Sequence, residues 1–431
     1  ILDTIGVGIG GSSGPMAGDL VAAQEHNGTG TDAHVWSIGK RLPAAAAAHC
    51  NAYQAHNSEY DSVHEDAVAH VLTAIVPSCL AHAERTNGAG DTGGIDGRRF
   101  IEAVVLGVDV ASNLGVAAIS GLRFFRPATV GAFGAAAALS KLMGFDQART
   151  VNAFSIAYGQ VSGTMQAHEE GSMLLAMQMG FNTRNAVIAC DLANLGFTGP
   201  ENVLEGRFGY FGLIETEGDI QAELATLGQN WRIEEVAHKP FPSGRATHGV
   251  LDGCMVLQQR HEIDAADIVR IDAVVPPLIE QLVGRPYQPE MELNYARLCV
   301  PYVVARALVH GTNTLGDFNA TAYADPATRR LAETITTRVR DGDPPKALTP
   351  IDVTITLTDG RELSHHVDAV YGAPQNPFGR DGQLEKFHAN CQAALRPIGG
   401  DQANALIERL SDLRNVGDVA DLVPLMIAPD A

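Results

Sequence analysis

The chain has 431 residues, 50 acidic against 30 basic, and a formal net charge of −20. A field of that sign opposes nucleic acid and anionic membrane as partners, while leaving room for a small anion held in a local cationic pocket. The length suggests roughly two to three domains, of which two is the reading adopted; the six scattered cysteines, with no CxxC pair, read as reduced, buried thiols of a cytoplasmic protein.

In chain order, the first segment, ILDTIGVGIGG at 1–11, is apolar and opens on Ile1, so some natural N-terminal sequence is expected to be missing. GVGIGGSSG at 6–14 superficially resembles a phosphate cradle, but it lacks a GK[ST] ending and a following ribose-binding acid, and close helix packing explains it better. Residues 51–70, NAYQAHNSEYDSVHEDAVAH, hold the carboxylates Glu59, Asp61, Glu65 and Asp66 and the imidazoles His56, His64 and His70. If the stretch is helical throughout, His56, Glu59 or Tyr60, and His64 converge on one face. A charge run is normally a solvated face, yet apolar flanks on both sides place this one between buried helices, where proton chemistry is at home. Ala-rich segments at 100–119, 128–143, 148–163 and 174–195, separated by Gly-rich turns such as 88–97, read as closely packed helices. No uninterrupted apolar run reaches the ~18 residues of a membrane span, and no signal peptide is seen.

Past Gly228 the texture changes. Residues 231–236 and 268–275 have the β-branched character of strands. VTITLTDGRELSHHV at 353–367 predicts a hairpin with Asp359-Gly360 in a type I′ turn. Helices are expected at 246–261, 294–310, 326–336 and 381–395, and the tail 401–426 is again helical. The fold class is therefore mainly α with a second α+β domain. A large helical bundle covers 1–238, with 396–431 returning to it, an α+β domain covers 239–395, and the active site is expected in the cleft between them.

Asp66 and His70 have i,i+4 spacing with His64 near, but no HExxH or comparable ligand set is present, so metal dependence is the less favoured reading. HKPFPSGRATHG at 238–249 brings Lys239, Arg245 and His248 onto a Pro-stiffened segment where helical texture gives way to strands; a carboxylate binder is favoured there over a solvated linker. Arg126, between Phe125 and Pro127 ahead of an apolar helix, needs a partner. Arg184 and Arg297 are lone cations in apolar helices that Glu205 or Glu292 would neutralise, and Tyr302 by default is a core residue with one satisfied hydroxyl.

Several segments together resemble one family, the MmgE/PrpD superfamily: LDTIGVGIGG at 2–11, the 51–70 cluster, RPATVGAFGAAAALSKLMG at 126–144, GFTGPENVLEGRFGYF at 196–211, KPFPSGRATH at 239–248, ARLCVPYVVARAL at 296–308 and YGAPQNPF at 371–378. The family includes 2-methylcitrate dehydratase, cis-aconitate decarboxylase and iminodisuccinate epimerase. The resemblance implies a large helical domain, a smaller α+β domain, a homodimer, and no metal or organic cofactor. It also marks departures. The usual D-[FY]-D-D-T-H appears as Glu59, Tyr60, Asp61, Ser62, Val63, His64, and the later His matches His70. Arg126 stands for a His, Leu175 for a catalytic Lys and Arg297 for a Lys, while Lys239 and Tyr302 are kept.

These residues predict a cofactor-independent lyase on a small di- or tricarboxylate, working through α-proton and carbanion chemistry. His70 or His64 is the expected base or acid, tuned by Glu59 and Asp61, with Lys239 in the catalytic set and Tyr302 as a proton donor. Arg126, Arg245, His248, Arg184 and Arg297 are the expected carboxylate binders. A cofactor-independent epimerase or isomerase is the alternative, and a non-catalytic carboxylate-binding homologue is the third.

Overall fold

A computed structural model describes residues 1–88 and 94–429. The small-residue segments of the first half form α1 (Leu2–Gly10), α2 (Ala44–His56), α3 (Leu72–Gly88), α4 (Gly97–Ala117), α5 (Arg126–Leu142), α6 (Gln147–Tyr158) and α7 (Leu174–Asn194). Of the turn expected at 88–97, residues 89–93 lie outside the described residues. Glycine sets how closely these helices approach. A Cβ on Gly107 of α4 would fall 2.6 Å from the carbonyl oxygen of Gly134 on α5, so any side chain there would force the pair apart. The glycines of α1 work in the same way: Cβ atoms on Gly6 and Gly8 would meet Phe387 and Trp36, each at 2.6 Å. The Gly-rich opening is thus a packing surface. By length and hydropathy alone α4 would suffice to cross a membrane, but 67% of its most apolar window is buried, and its Phe100, Val104 and Val108 join one core with Ile75 of α3 and Phe133 of α5.

Later elements are α8 (Arg245–His261), β1 (Ile268–Val275), α9 (Val300–His310), β2 (Ile335–Val339), β3 (Ile351–Leu357), β4 (Glu362–Val367) and α10 (Arg380–Ala393). The strands form a mixed sheet in the order β2-β1-β3-β4, with β1 parallel to β2 and antiparallel to β3, and β3 antiparallel to β4. Alternate residues of β3, from Ile351 to Leu357, are buried. Gly249 and Gly253 let α8 lie on that face, since Cβ atoms there would meet Ile351 at 2.2 Å and Val353 at 2.9 Å.

The chain divides into two compact units, one of Ile1–Met165, Leu174–Val236 and Arg380–Ala431, the other of Gln166–Met173 and Ala237–Gly379. This differs from the expected division in two places. α10 belongs to the helical unit, because Lys386 pairs with Asp3 of α1 at 2.7 Å and donates to the Tyr60 carbonyl at 2.8 Å, while Phe387 packs over Gly6. Residues 166–173 belong to the other unit, where the Ser172 carbonyl accepts from Asn294 and the His168 carbonyl from Arg285. The tail belongs to the helical unit, with Leu406, Leu413, Val419, Leu422 and Met426 in its core.

Local expectations fail where side-chain bonds overrule propensity. Residues 231–236 contain a 3-10 turn, Arg232–Glu235, fixed by bonds from the Arg232 backbone N–H and Nε to Asp109 and Asn113, both at 2.9 Å. The helix expected over 326–336 stops at Ala332, and the β-branched Ile335-Thr336-Thr337 starts β2. That over 294–310 breaks at Leu298 and Cys299, ahead of Pro301. In the β3–β4 hairpin only Gly360 of the expected pair takes a positive φ, +85°. The Gly360 N–H bonds Leu357 O and the Leu357 N–H bonds Arg361 O, which makes a three-residue loop closed by a left-handed glycine rather than a type I′ turn.

Candidate active site

The single helical face expected over 51–70 does not form. α2 ends at His56, and 57–71 is a succession of turns around a two-residue strand, Val63–His64, in which Glu59 and Val68 take φ of +52° and +49°. Each left-handed non-glycine residue costs of order 1 kcal/mol or more, and such strain tends to collect where a site fixes its geometry. Here the turning itself assembles the site. It carries Asp61 back to His56 and brings His70 alongside both.

Asp61 is fully buried between the two imidazoles. His56 Nδ1 lies 2.9 Å from Asp61 Oδ2 and His70 Nδ1 lies 3.3 Å from Oδ1, while Thr73 donates its hydroxyl to Oδ2 at 2.5 Å. The rings of His56 and His70 meet edge to face at 4.8 Å, and Phe125 packs on His56 at 5.7 Å. Burial alone would raise the Asp61 carboxyl, but His56 and His70, as charges and as hydrogen-bond donors, together hold it well below the usual carboxylate range. A carboxylate so held is an anion at any working pH.

The tautomer of His70 follows. Its Nδ1 faces two acceptors, Asp61 Oδ1 and the Ser62 carbonyl at 3.1 Å, so Nδ1 carries the proton and the lone pair of the neutral ring sits on Nε2. An anion behind Nδ1 raises the basicity of Nε2 and stabilises the imidazolium formed when it takes a proton. His70 is also the accessible ring, its side chain 12% exposed against 1% for His56 and for His64.

His56 is absent from the residues expected to act, though the sequence puts it in the cluster; a His in the last turn of a helix, five residues before an Asp in a turn, is the signal that marks it. Donor atoms of His56, Asp61 and His70 lie within 4.8 Å of one another, a spacing that a cation fits and that the direct pairing through Asp61 also accounts for. Glu59 contributes a carboxylate 3.6 Å from His56 Nε2. His64 is brought near in sequence only: its Nδ1 accepts from the Ala67 N–H at 3.2 Å and its Nε2 lies 2.8 Å from Glu235, so both nitrogens are engaged away from Asp61. These partners differ from what the expected role as acid or base calls for.

Arg126 also differs from expectation. It has the partner its burial demanded, but the partner is Glu215, held bidentately at 2.8 Å through Nε and Nη2, with Tyr210 and Ser120 bonding the same carboxylate at 2.9 and 3.0 Å. Burial would raise Glu215, and Arg126 overrides it and brings the carboxyl below its ordinary value. Nε and Nη2 are thus engaged by the fold, while Nη1 is buried without a hydrogen-bond partner. Arg184, an expected carboxylate binder, bonds neighbouring Asn185 and lies over Phe181. Leu175 is buried on α7, an apolar position in which an ammonium would be costly.

In the second unit Lys239 and His248 are buried, the latter edge-on to Phe241 at 5.5 Å. Arg245 donates to the carbonyls of Tyr371 at 2.7 Å and Val370 at 3.2 Å, binding backbone where a substrate carboxylate was expected. Arg297 is buried against the Phe318 ring at 5.3 Å. Tyr302 is fully buried and gives its hydroxyl hydrogen to the Asp317 carbonyl, and burial pushes the phenol far up, so the default reading of a core tyrosine with one satisfied hydroxyl describes it better than a proton donor.

Comparison with known proteins covers nearly the whole chain. Residues 1–223 match the MmgE/PrpD N-terminal domain and 241–412 the MmgE/PrpD C-terminal domain. The cis-aconitate decarboxylase of Mus musculus is 26% identical over 445 residues, spanning 100% of this chain and 88% of that protein. Its namesake from Homo sapiens is 26% identical over 442 residues, spanning 100% and 89%. A cis-aconitate decarboxylase of Aspergillus terreus is 25% identical over 416 residues, spanning 90% and 83%.

Proposed function

Given that the chain belongs to the MmgE/PrpD family, we propose that it is a lyase of the decarboxylase or dehydratase type, acting on a small tricarboxylate of the cis-aconitate class through carbanion chemistry next to a carboxylate. The observation that carries this reading is Asp61 seated between His56 and His70, with His70 Nδ1 facing both Asp61 Oδ1 and the Ser62 carbonyl. His70 Nε2 takes a proton from carbon, and the electron pair left behind spreads into the adjacent carboxylate or expels a hydroxyl leaving group. In decarboxylation the C–CO2 bond breaks instead, and His70 enters the step already protonated on Nε2, gives that hydrogen to the carbanion as CO2 departs, and regains a proton from water. Asp61 keeps the ring oriented and stabilises the imidazolium in either direction. The names of the relatives support the substrate class.

A second reading, an epimerase that returns the proton to the opposite face, is favoured by one observation: buried Leu175 occupies the position where the family resemblance predicts a catalytic lysine, which shortens the list of groups able to assist a leaving group. Proton NMR in deuterated water with chelator, on cis-aconitate and on citrate-like, malate-like and amino-dicarboxylate compounds, separates the two. A lyase gives a new alkene signal or, from cis-aconitate, a deuterated decarboxylation product; an epimerase exchanges an α-proton without either. Protein that does neither removes both readings, and activity lost only with chelator would make His56, Asp61 and His70 a metal site.

A further inference from the structure

His64 has the burial and the polar partners of a working residue, yet both of its ring nitrogens are engaged by the protein itself. Its Nδ1 accepts from the Ala67 N–H, which fixes the remaining ring hydrogen on Nε2, and Nε2 lies 2.8 Å from the acceptor Glu235 Oε2. A ring whose lone pair is taken by a backbone N–H and whose hydrogen is given to a carboxylate is a neutral tautomer defined from both sides. It has nothing left to accept or donate to a reacting carbon. Burial lowers its affinity for a second proton, in the same sense.

What His64 joins is specific. Its backbone bonds Ala69 in both directions, His64 N–H to Ala69 O at 2.9 Å and Ala69 N–H to His64 O at 3.2 Å, closing a tight turn whose next residue is His70. Within that turn Val68 stands at a positive φ, a conformation unfavourable for a β-branched side chain. The ring of His64 fills the turn by capping Ala67, and through Glu235 it reaches Arg232, which bonds Glu235 at 2.9 Å, Asn113 Oδ1 of α4 at 2.9 Å and the Glu223 carboxylate. The Arg232 backbone N–H adds a bond to Asp109, also on α4. A continuous set of hydrogen bonds thus runs from α4 through Arg232, Glu235 and His64 to the segment bearing Asp61 and His70.

We infer that His64 is a positioning residue, a neutral strut that holds the 57–71 segment, and with it the Asp61–His70 pair, against the Arg232–Glu235 turn. The inference rests on the proposed function for the statement that His70 reacts. The geometry also says how to mimic each half of the strut. The amide nitrogen of Gln reaches the place of Nε2 and preserves the bond to Glu235. The carbonyl of Asn reaches the place of Nδ1 and preserves the cap on Ala67.

The test compares wild type with His64→Ala, His64→Gln, His64→Asn and Glu235→Gln. Turnover of cis-aconitate is followed across pH, and imidazole nitrogen shifts are read by NMR on protein carrying labelled histidine. A supporting shell of this kind is worth about 10- to 100-fold. His64→Ala is expected to lose that much in kcat with little change in KM, while keeping both limbs of its pH profile. Gln or Asn should restore at least part of the loss, and the spectra should show wild-type His64 with its proton on Nε2. Equal loss of 1000-fold or more in all three His64 variants, with one limb of the profile gone, would make His64 the acid or base and overturn the inference. Full activity per folded molecule in His64→Ala would overturn it as well. If the wild type turns over nothing, the proposed function falls; the same spectra still decide the positioning claim, since His70 must lose its Nδ1–H tautomer in His64→Ala and keep it in His64→Gln.

Discussion

Replacing Arg126 by Met tests whether that cation serves the fold or the substrate. The side chain is fully buried and makes two charge-assisted bonds to Glu215 at 2.8 Å and one to the Ser120 carbonyl at 3.0 Å. Without it, Glu215 remains in the interior with only the hydroxyls of Tyr210 and Ser120. Breaking a buried pair from one side costs about 3–5 kcal/mol, most of it the uncompensated charge. The cost depends on pH with a definite sign. In the wild type the Glu215 carboxyl lies below its ordinary value because Arg126 outweighs burial. In the variant burial dominates, the folded carboxyl rises above its unfolded value, and the penalty grows as pH climbs past the unfolded pKa. Urea unfolding followed by circular dichroism should show a midpoint lowered by roughly 1 M for a slope near 3 kcal/mol/M, less so at pH 5 than at pH 8. Adding Glu215→Gln should recover most of the loss. An Arg126→Met protein with the wild-type midpoint and a raised KM would refute the structural assignment and return Arg126 to the substrate.

Three further outcomes are expected. His70→Gln should lower kcat by about 100- to 10,000-fold, the usual worth of a general base; near-normal turnover would remove His70 from the mechanism. Asp61, whose folded pKa lies well below the ordinary 3.8, gives stability that is complete above that value and lost as pH falls through the lower, folded one. The difference in unfolding midpoint between wild type and Asp61→Asn should therefore be constant above about pH 5 and shrink below pH 4; a difference independent of pH would contradict the charge assignment. Lys386→Met removes the buried ion pair with Asp3 and the bond to the Tyr60 carbonyl, and should speed amide hydrogen exchange in 57–71 more than in α4. Uniform exchange across both segments would show that α10 does not anchor the site.

The division between what the sequence made legible and what it did not follows the range of the forces involved. Helices α4 to α7 were readable because an Ala-rich, small-residue pattern repeats over many positions and averages out local error; a Cβ on Gly107 meeting the Gly134 carbonyl is one instance of a rule that holds along the whole crossing. The 3-10 turn at Arg232 was not readable, because what outweighs the strand propensity of Trp231-Arg232-Ile233 is a pair of bonds to Asp109 and Asn113, more than a hundred residues away in sequence. The site shows both effects. The sequence placed Asp61 and His70 in one short cluster, and composition alone suffices for that. It could not say that Asn57 and Ser58 end the helix, that Glu59 turns left-handed, and that Asp61 consequently lands between His56 and His70 with His64 turned inward. Helical spacing would have aligned His56 with His64 and sent Asp61 to another face. The difference between base and strut within one cluster is decided by which ring nitrogen a neighbouring N–H or carboxylate occupies, a distinction of about one bond length that no periodicity carries.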